Sequence, residues 1–313
     1  MLKINKLTKP TFITIGLLTA LAFDVPVQAG NYETRVVAAG LTRPTGIVAA
    51  GNRAVVITQL PTPGIPGTQG GANTVDLINL RSHRLNNLAT GEPEPTNITL
   101  DQRGHLYWTC KSAGVILERN RKGDIGLFLD SLTQPSGIDV DRWGRVYFTQ
   151  IPTPGIPGTQ GGANSVSISD GETTAVLSLG EPEPTDITVS SKGTAYWTCK
   201  SAGVILCRTP DGTKVKLLSD LAAPTGITLD EHRNRLYFTE VPTPGLPGSM
   251  GGLNRVSVLN LRSGKLETVD EGDPEPTDIT TAPNGSVYWT CSSAGVIVQA
   301  RKLRDHCDWN RED

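Results

Sequence analysis

PTPGIPGTQGGAN at residues 61–73 recurs unchanged at 152–164 and as PTPGLPGSMGGLN at 242–254. Two other motifs keep the same spacing: an acidic one that begins GEPEPT or GDPEPT and a hydrophobic one that reads YWTCKSAGVI or YWTCSSAGVI. A fixed internal period means that each repeat is one structural unit stacked on its neighbours. The chain therefore consists of three long repeats of about 90 residues.

Each long repeat divides into two related halves. Every half opens on a short Pro-containing motif: PTGI or PSGI (44–47, 135–138, 224–227) in the first half and PTNI or PTDI (95–98, 184–187, 276–279) in the second. A β-like run, a turn and a second run ending in Thr follow, as in GITLDEHRNRLYFTE (226–240). Runs rich in β-branched and aromatic residues with turns between them indicate strands. The sequence thus contains six all-β units.

Six units of about four short strands each predict an all-β fold, a six-bladed β-propeller with pseudo-threefold symmetry. The last unit lacks a fourth strand, because the chain turns polar after VIVQARK (296–302). YETRVVAAGL (32–41) runs directly into the first PTGI, so we expect this N-terminal strand to complete the last blade. Closure of this kind removes open sheet edges. The propeller is predicted to span residues 30–304, with a C-terminal tail at 305–313.

The blade pattern resembles NHL-type repeats and the propellers of the senescence-marker/gluconolactonase-like and streptogramin-lyase-like enzymes. LYFTE (236–240) and GLNRV (252–256) carry the resemblance. It implies a six-bladed propeller over residues 32–302 and does not select one member of the superfamily. In the gluconolactonase-like enzymes an Asn after the inner Pro helps to hold a divalent metal. All six equivalent positions are Ser or Thr in this sequence, so the Asn expected of a metal-dependent lactonase is missing.

The first 29 residues are typical of an export signal, with a basic start, an apolar run at 11–23 and a small-x-small cleavage motif ending at Ala29. A retained membrane anchor is the alternative. We expect a secreted or periplasmic monomer without membrane contact after cleavage. The formal net charge of −2 does not favour a nucleic-acid partner. Five cysteines leave at least one free thiol or one intermolecular disulfide, and the sequence does not decide whether Cys207 and Cys307 form a disulfide.

Two sets of repeated side chains are predicted to meet at the channel mouth. The hydroxyl set either caps the turn after Pro or contacts a ligand; it comprises Thr45, Thr96, Ser136, Thr185, Thr225 and Thr277. The acidic set comprises Glu94, Glu183 and Glu275 before the inner Pro, with Asn97, Asp186 and Asp278 after the Thr. Such carboxylates are either solvated turn residues or a site for a cationic ligand or Ca²⁺, the one cofactor that they suggest.

A third repeated position follows the Thr that ends each second strand. It alternates between an amide or acid and a cysteine and reads Gln59, Cys110, Gln150, Cys199, Glu240 and Cys291. We include these residues among the candidate ligand contacts. The cysteines of alternate blades should lie too far apart for a shared zinc ion or a disulfide. The Pro/Gly motifs add a loop in every other blade, and loops on a rigid scaffold commonly bind ligands.

Three functions remain open on the sequence. The near-identity of the repeats favours a protein that binds a small molecule, peptide or glycan at the mouth. An enzyme of the lactonase, lyase or cyclase type is the second hypothesis, with Glu240 as base and Asp186 or Asp278 as its partner. A structural or protein-interaction scaffold is the third. The sequence does not decide whether the protein is an enzyme.

Overall fold

The computed structural model describes residues 27–29, 31–61, 72–152, 163–242 and 253–303. The Pro/Gly segments 62–71, 153–162 and 243–252, most of the predicted leader and the tail from residue 304 lie outside the described residues, as does Cys307. No helix of the described part is long and apolar enough to cross a membrane.

Six antiparallel sheets make up the described fold, and each is one blade of the predicted six-bladed β-propeller. Blade 1 has strands β3 (Pro44–Ala49), β4 (Ala54–Gln59), β5 (Thr74–Asn79) and β6 (Leu85–Thr90). Blade 2 has β7 (Pro95–Leu100), β8 (Leu106–Cys110), β9 (Val115–Arg119) and β10 (Ile125–Leu129). Blade 3 has β11 (Pro135–Val140), β12 (Val146–Gln150), β13 (Ser165–Ser169) and β14 (Thr174–Leu179).

The second half of the chain repeats this arrangement. Blade 4 has β15 (Pro184–Val189), β16 (Ala195–Cys199), β17 (Val204–Arg208) and β18 (Lys214–Leu218). Blade 5 has β19 (Pro224–Asp230), a short 3₁₀ helix (Glu231–Arg233), β20 (Arg235–Glu240), β21 (Arg255–Asn260) and β22 (Leu266–Glu271). Blade 6 has β23 (Pro276–Thr281), β24 (Val287–Cys291) and β25 (Val296–Lys302).

The N-terminal strand closes the ring, as the sequence predicts. β2 (Tyr32–Ala38) pairs with β25 as the fourth strand of blade 6, and β1 (Val27–Ala29) pairs in turn with β2. Tyr32 of β2 is buried between blades 5 and 6, and Val37 is buried between blades 6 and 1. The first and last parts of the chain are thus held together by one sheet. Val27–Ala29 belong to the predicted leader, whose boundary remains a prediction.

The hydrophobic core lies between neighbouring blades. Six separate clusters of buried side chains each combine residues of two adjacent blades. The Ile of every PTGI, PSGI, PTNI or PTDI motif belongs to one of them, and the Trp side chains of the three even-numbered blades are fully buried. Each blade therefore depends on its two neighbours for burial of its faces.

The Gly of the odd-numbered blades allows the inner strands to approach closely. A Cβ on Gly137 would lie 2.4 Å from the Cα of Asp186 on the next blade. Gly46 and Gly226 face Asn97 and Asp278 in the same way, at 2.8 and 2.7 Å. These contacts explain why Gly alternates with Asn or Asp at this position: the small residue of one blade accommodates the larger one of the next.

Candidate functional site

The candidate site lies at the end of the channel where the inner strands begin, which we call the mouth. Pro44 of β3 pairs with Gln59 at the end of β4, and the other five blades repeat this register. The linkers between blades reach the same end. The mouth is therefore built from the starts of the inner strands, the ends of the second strands and the linkers, as the sequence predicts.

A left-handed backbone precedes the inner Pro in all six blades. The φ angles are 54° for Glu94 and Glu183 and 52° for Glu275, and Arg43, Gln134 and Ala223 of the odd blades have φ between 45° and 51°. The carbonyl of each Glu accepts the N–H that follows the second strand, at 3.0 Å from Lys111, 3.0 Å from Lys200 and 3.1 Å from Ser292. This conformation is costly for a residue with a side chain, so the hydrogen bond helps to hold it.

The predicted ring of glutamates belongs to three acidic turns, residues 91–95, 180–184 and 272–276. Asn73, at the end of the first Pro/Gly motif, donates its side-chain amide to the carbonyl of Glu92 at 2.8 Å and accepts the N–H of Gly91 on its own carbonyl at 2.9 Å. Asn164 and Asn254 make the same two bonds in the other repeats. Each Pro/Gly motif is therefore tied at its end to the next acidic turn.

The first acid of each turn lies over a buried Trp and Cys. Asp273 accepts the indole N–H of Trp289 at 2.8 Å, and Cys199 contacts Glu181 at 3.9 Å. Burial and the nearby carboxylate raise the pKa of Cys110 and Cys199 to about 12. Cys291 shifts in the same direction for the same reasons, with burial as the main cause of its raised pKa. The three thiols are therefore protonated and poor nucleophiles at neutral pH.

Gln59, Gln150 and Glu240, which occupy the repeated amide or acid position, hydrogen-bond to the linkers between blades. The Oε1 atoms of Gln59 and Gln150 accept a linker N–H at 2.7 Å, and Oε1 of Glu240 does so at 2.8 Å from Ala222. Glu240 therefore performs the same structural task as the two glutamines. It is not among the residues that line the channel cavity, so the structure does not bring it together with Asp186 and Asp278.

The hydroxyl set forms hydrogen bonds between blades. Thr45 contacts the hydroxyl of Thr58 at 2.8 Å and donates to the carbonyl of Pro95 on the next blade at 3.2 Å. Ser136 donates to the carbonyl of Thr185 at 2.9 Å. The hydroxyls of Thr96, Thr185, Thr225 and Thr277 each contact a second-strand Thr hydroxyl at 2.7–2.9 Å. Their observed contacts are thus structural, and ligand contact stays a prediction.

One layer below the hydroxyls lies the channel ring, which consists of Asn97, Asp186 and Asp278. Asn97 donates its side-chain amide to Asp186 at 2.9 Å. Asp186 also accepts the N–H of Ile227 on blade 5 at 2.7 Å, and Asp278 accepts the N–H of Ile47 on blade 1 at 2.8 Å. Asp186 and Asp278 both line the channel cavity, and through these bonds each links its own blade to the next.

Burial raises the pKa of Asp278 to about 7. Burial, and secondly the charge of Asp278, raise the pKa of Asp186 well above its usual range. The cavity beside the ring has a volume of about 50 Å³, enough for a few water molecules. No Lys, Arg or His is among its lining residues. The channel therefore holds carboxyl groups without a compensating cation in the part of the chain that the structure describes.

Asp139 is a channel residue that the sequence analysis missed. It accepts the hydroxyls of Thr99 and Thr188 at 3.0 Å each and the N–H groups of Val140 and Val189 at 2.8 and 2.7 Å. It thereby joins blade 3 to blades 2 and 4, and burial raises its pKa. Alignment of the six inner strands would have found it, because the other five blades have Val or Thr there.

The channel does not fit the divalent metal of the gluconolactonase-like enzymes. No group of three or more His, Cys, Asp or Glu side chains among the described residues could hold a metal ion. The Asp186 and Asp278 oxygens accept N–H donors, and Asn97 directs its amide nitrogen towards Asp186. We assign no metal chemistry to the channel, and bound Ca²⁺ elsewhere stays a prediction.

Comparison with solved structures confirms the six-bladed propeller fold, and the similar structures include a lyase and a gluconolactonase. A streptogramin B lyase has a TM-score of 0.59 at 19% identity and covers 87% of this chain and 98% of its own. A gluconolactonase from Xanthomonas campestris scores 0.68 at 16% identity, with coverage of 88% and 94%. A chain of a nidogen–laminin complex scores 0.60 at 15% identity, with coverage of 88% and 97%.

No family model matches the sequence. No curated protein matches it either. At such low identities the structural likeness establishes the fold alone.

Proposed function

We propose that this chain binds a small molecule, a peptide or a glycan at the mouth of the channel. The threefold anchoring of the acidic turns carries the proposal. Asn73, Asn164 and Asn254 each make two hydrogen bonds to the backbone of an acidic turn, which holds the backbone of three equivalent turns in place. A site that is ordered before its ligand arrives loses less entropy on binding. Carboxylates in this arrangement favour a ligand with positive charge or several hydrogen-bond donors.

The dimensions of the channel support binding on the mouth and not inside it. A cavity of about 50 Å³ holds a few waters, whereas pockets for small molecules usually measure several hundred Å³. A ligand would therefore rest on the acidic turns.

The enzyme hypothesis has less support from the described residues. Glu240, its predicted base, is buried and engaged with Ala222 and Ser257. His83, His105 and His232 lie in turns at the opposite end of the propeller. The relatives by fold include a lyase, a gluconolactonase and a chain of a protein complex, so the fold itself does not choose between catalysis and binding.

The test is a binding screen followed by charge removal. The full chain is screened on a glycan array and against libraries of basic peptides and small cationic metabolites. For the first ligand found, calorimetry measures Kd for the wild type and for Glu94→Gln, Glu183→Gln and Glu275→Gln. We expect each substitution to raise Kd about fivefold, or about 1 kcal/mol, and by similar amounts.

Glu172→Gln is the matched control, because Glu172 is an exposed acid in the turn between β13 and β14 at the opposite end. Unchanged affinity in all three mouth variants would refute binding at the acidic turns. An activity that Glu240→Gln abolishes, with binding unaffected by the mouth variants, would support the enzyme hypothesis instead.

A further inference from the structure

We propose that the end of the propeller opposite the mouth binds an acidic polysaccharide, a chain of sugars that carries carboxylate or sulfate groups. The site is a set of cations around an exposed Trp on the inner turns of blades 2, 3 and 4, which we call the basic band. The band consists of Arg103, Arg142, Trp143, Arg145 and Lys192. Since it lies at the opposite end from the acidic turns, this inference does not depend on the function proposed for the mouth.

The two ends of the propeller carry opposite charge. Among the described residues, the turns between first and second strands and between third and fourth strands contain twelve Lys or Arg and seven Asp or Glu. The described connections at the mouth contain three Lys or Arg and eight Asp or Glu. The small net charge of the whole chain therefore results from an acidic end and a basic end, and the basic end attracts polyanions.

Trp143 provides a flat apolar surface in the basic band. It is 49% exposed and is the only aromatic residue among the exposed large hydrophobic residues of the described part. The guanidinium carbon of Arg142 lies 4.2 Å from the centre of the indole ring, and that of Arg145 lies 4.9 Å from it. An indole can pack against the C–H face of a sugar ring while guanidinium groups beside it pair with a carboxylate or sulfate.

The cations of the basic band lie on three successive blades. Arg145 of blade 3 reaches the inner turn of blade 4, because a Cβ on Gly193 would lie 3.9 Å from its Nη2 atom. Lys192 precedes this glycine and is exposed. Arg103 is exposed in the equivalent turn of blade 2. An extended chain that follows the inner turns would therefore meet cations of each of the three blades.

The acids of these three inner turns are buried and engaged within the protein. Asp101 accepts a backbone N–H of its own turn at 2.7 Å, and Asp141 accepts the guanidinium N–H of Arg145 at 2.7 Å. Among the described residues, the other cations of the band form no salt bridge. Their charges are therefore free to pair with an anionic ligand.

The surroundings of the basic band favour a polysaccharide over two other polyanions. The outer turns of blades 3 and 4 carry the exposed acids Asp170, Glu172 and Asp211. A planar anionic membrane would bring its charges against these acids, whereas a single chain can follow the inner turns and avoid them. Single-stranded nucleic acid stacks successive bases on several aromatic side chains, and the band has one.

Fluorescence anisotropy with two labelled probes tests the proposal on the full chain at low salt. The probes are a galacturonate oligomer, which carries carboxylates, and a heparin oligomer, which also carries sulfates. We expect at least one of them to bind. Trp143→Ala should raise its Kd about tenfold and Arg142→Gln about fivefold. Both side chains are exposed, so the variants should fold, and circular dichroism checks that they do.

Arg262→Gln is the matched control, because Arg262 is an exposed base in the outer turn of blade 5 at the same end and outside the band. It should leave Kd within about twofold, since exposed charges beyond a Debye length are screened. The proposal is wrong if neither probe binds, if both band variants leave Kd unchanged, or if Arg262→Gln raises Kd as much as they do.

Two further probes distinguish the other polyanions. Tighter binding of a thymidine oligonucleotide, or of vesicles of anionic phospholipid, than of both saccharide probes would also overturn the proposal. Glu94→Gln at the mouth should not raise Kd for the saccharide probes, because it lies at the opposite end. Failure of this proposal is thus distinct from failure of the function proposed for the mouth.

Discussion

The third repeat has Glu240 where the first has Gln59, and a second substitution on the neighbouring strand compensates for this change. Gln59 donates its amide nitrogen to the buried carboxylate of Asp76 at 2.7 Å. In the third repeat Glu240 replaces the glutamine and Ser257 replaces the aspartate. The hydroxyl of Ser257 donates to the carboxylate of Glu240 at 3.3 Å. Donor and acceptor have exchanged places between the second and third strands. The charge of Glu240 is therefore accounted for without a catalytic role.

This exchange predicts a double-mutant result. Gln59→Glu would place two buried carboxylates against each other and should destabilise the protein by about 2–3 kcal/mol. Adding Asp76→Ser recreates the third repeat and should restore most of that stability. Urea unfolding of the two single variants and the double variant measures the coupling. Additive effects would show that the two side chains do not interact as described.

Side-chain pairing of this kind cannot be derived from the repeats alone. The sequence shows that Gln59, Gln150 and Glu240 are equivalent, but not that each accepts a linker N–H. Asp139 has no acidic counterpart in the other repeats, so the repeated motifs do not point to it. The sequence predicts that Asp186 and Asp278 lie near the mouth, whereas their bonds to the N–H groups of Ile227 and Ile47 depend on distances between blades.

At the scale of the strand, the PTGI and PSGI motifs need Gly because the backbone of the neighbouring blade leaves no room for a side chain. Gly137 faces the backbone of Asp186, and an added methyl would have no room. Gly137→Ala should therefore cost about 2–3 kcal/mol, measured as the free energy of unfolding in urea. Gly126→Ala in β10 is the matched control, since nothing lies within 4 Å of the added Cβ. Equal stability of the two variants would contradict the close approach.

The strands themselves were largely predictable. β-branched and aromatic runs between turns predict the inner and second strands, and YETRVVAAGL predicts the strand that completes the last blade. The short helix Glu231–Arg233 was not expected, because three residues carry no periodic signal. The conformations of the Pro/Gly segments 62–71, 153–162 and 243–252 lie outside the described residues, so their predicted part in the mouth remains a prediction.

At the scale of the whole molecule, β2 joins the two ends of the ring. A chain that starts at residue 39 lacks β2 and loses the buried side chains of Tyr32 and Val37. We expect it to lose roughly 5 kcal/mol or more of unfolding free energy, since two large side chains and a row of ladder hydrogen bonds are removed. Urea unfolding and size-exclusion chromatography measure the effect.

A chain that starts at residue 31 is the control for this truncation. It keeps β2 and the bond from Leu303 to the carbonyl of Asn31 at 2.8 Å, while it lacks β1. Its stability should remain within about 1 kcal/mol of the full chain. A stable monomer starting at residue 39 would mean that the ring does not need its N-terminal strand.

The three asparagines that secure the acidic turns have a consequence for stoichiometry. A compact ligand held by one turn could occupy all three, which gives three sites per chain. A ligand on the central axis would fill the mouth once. A branched ligand with three matching arms would bind by avidity, because after the first contact the other two arms are at high effective concentration. The number of sites in a calorimetric titration therefore distinguishes the shapes that this mouth can recognise.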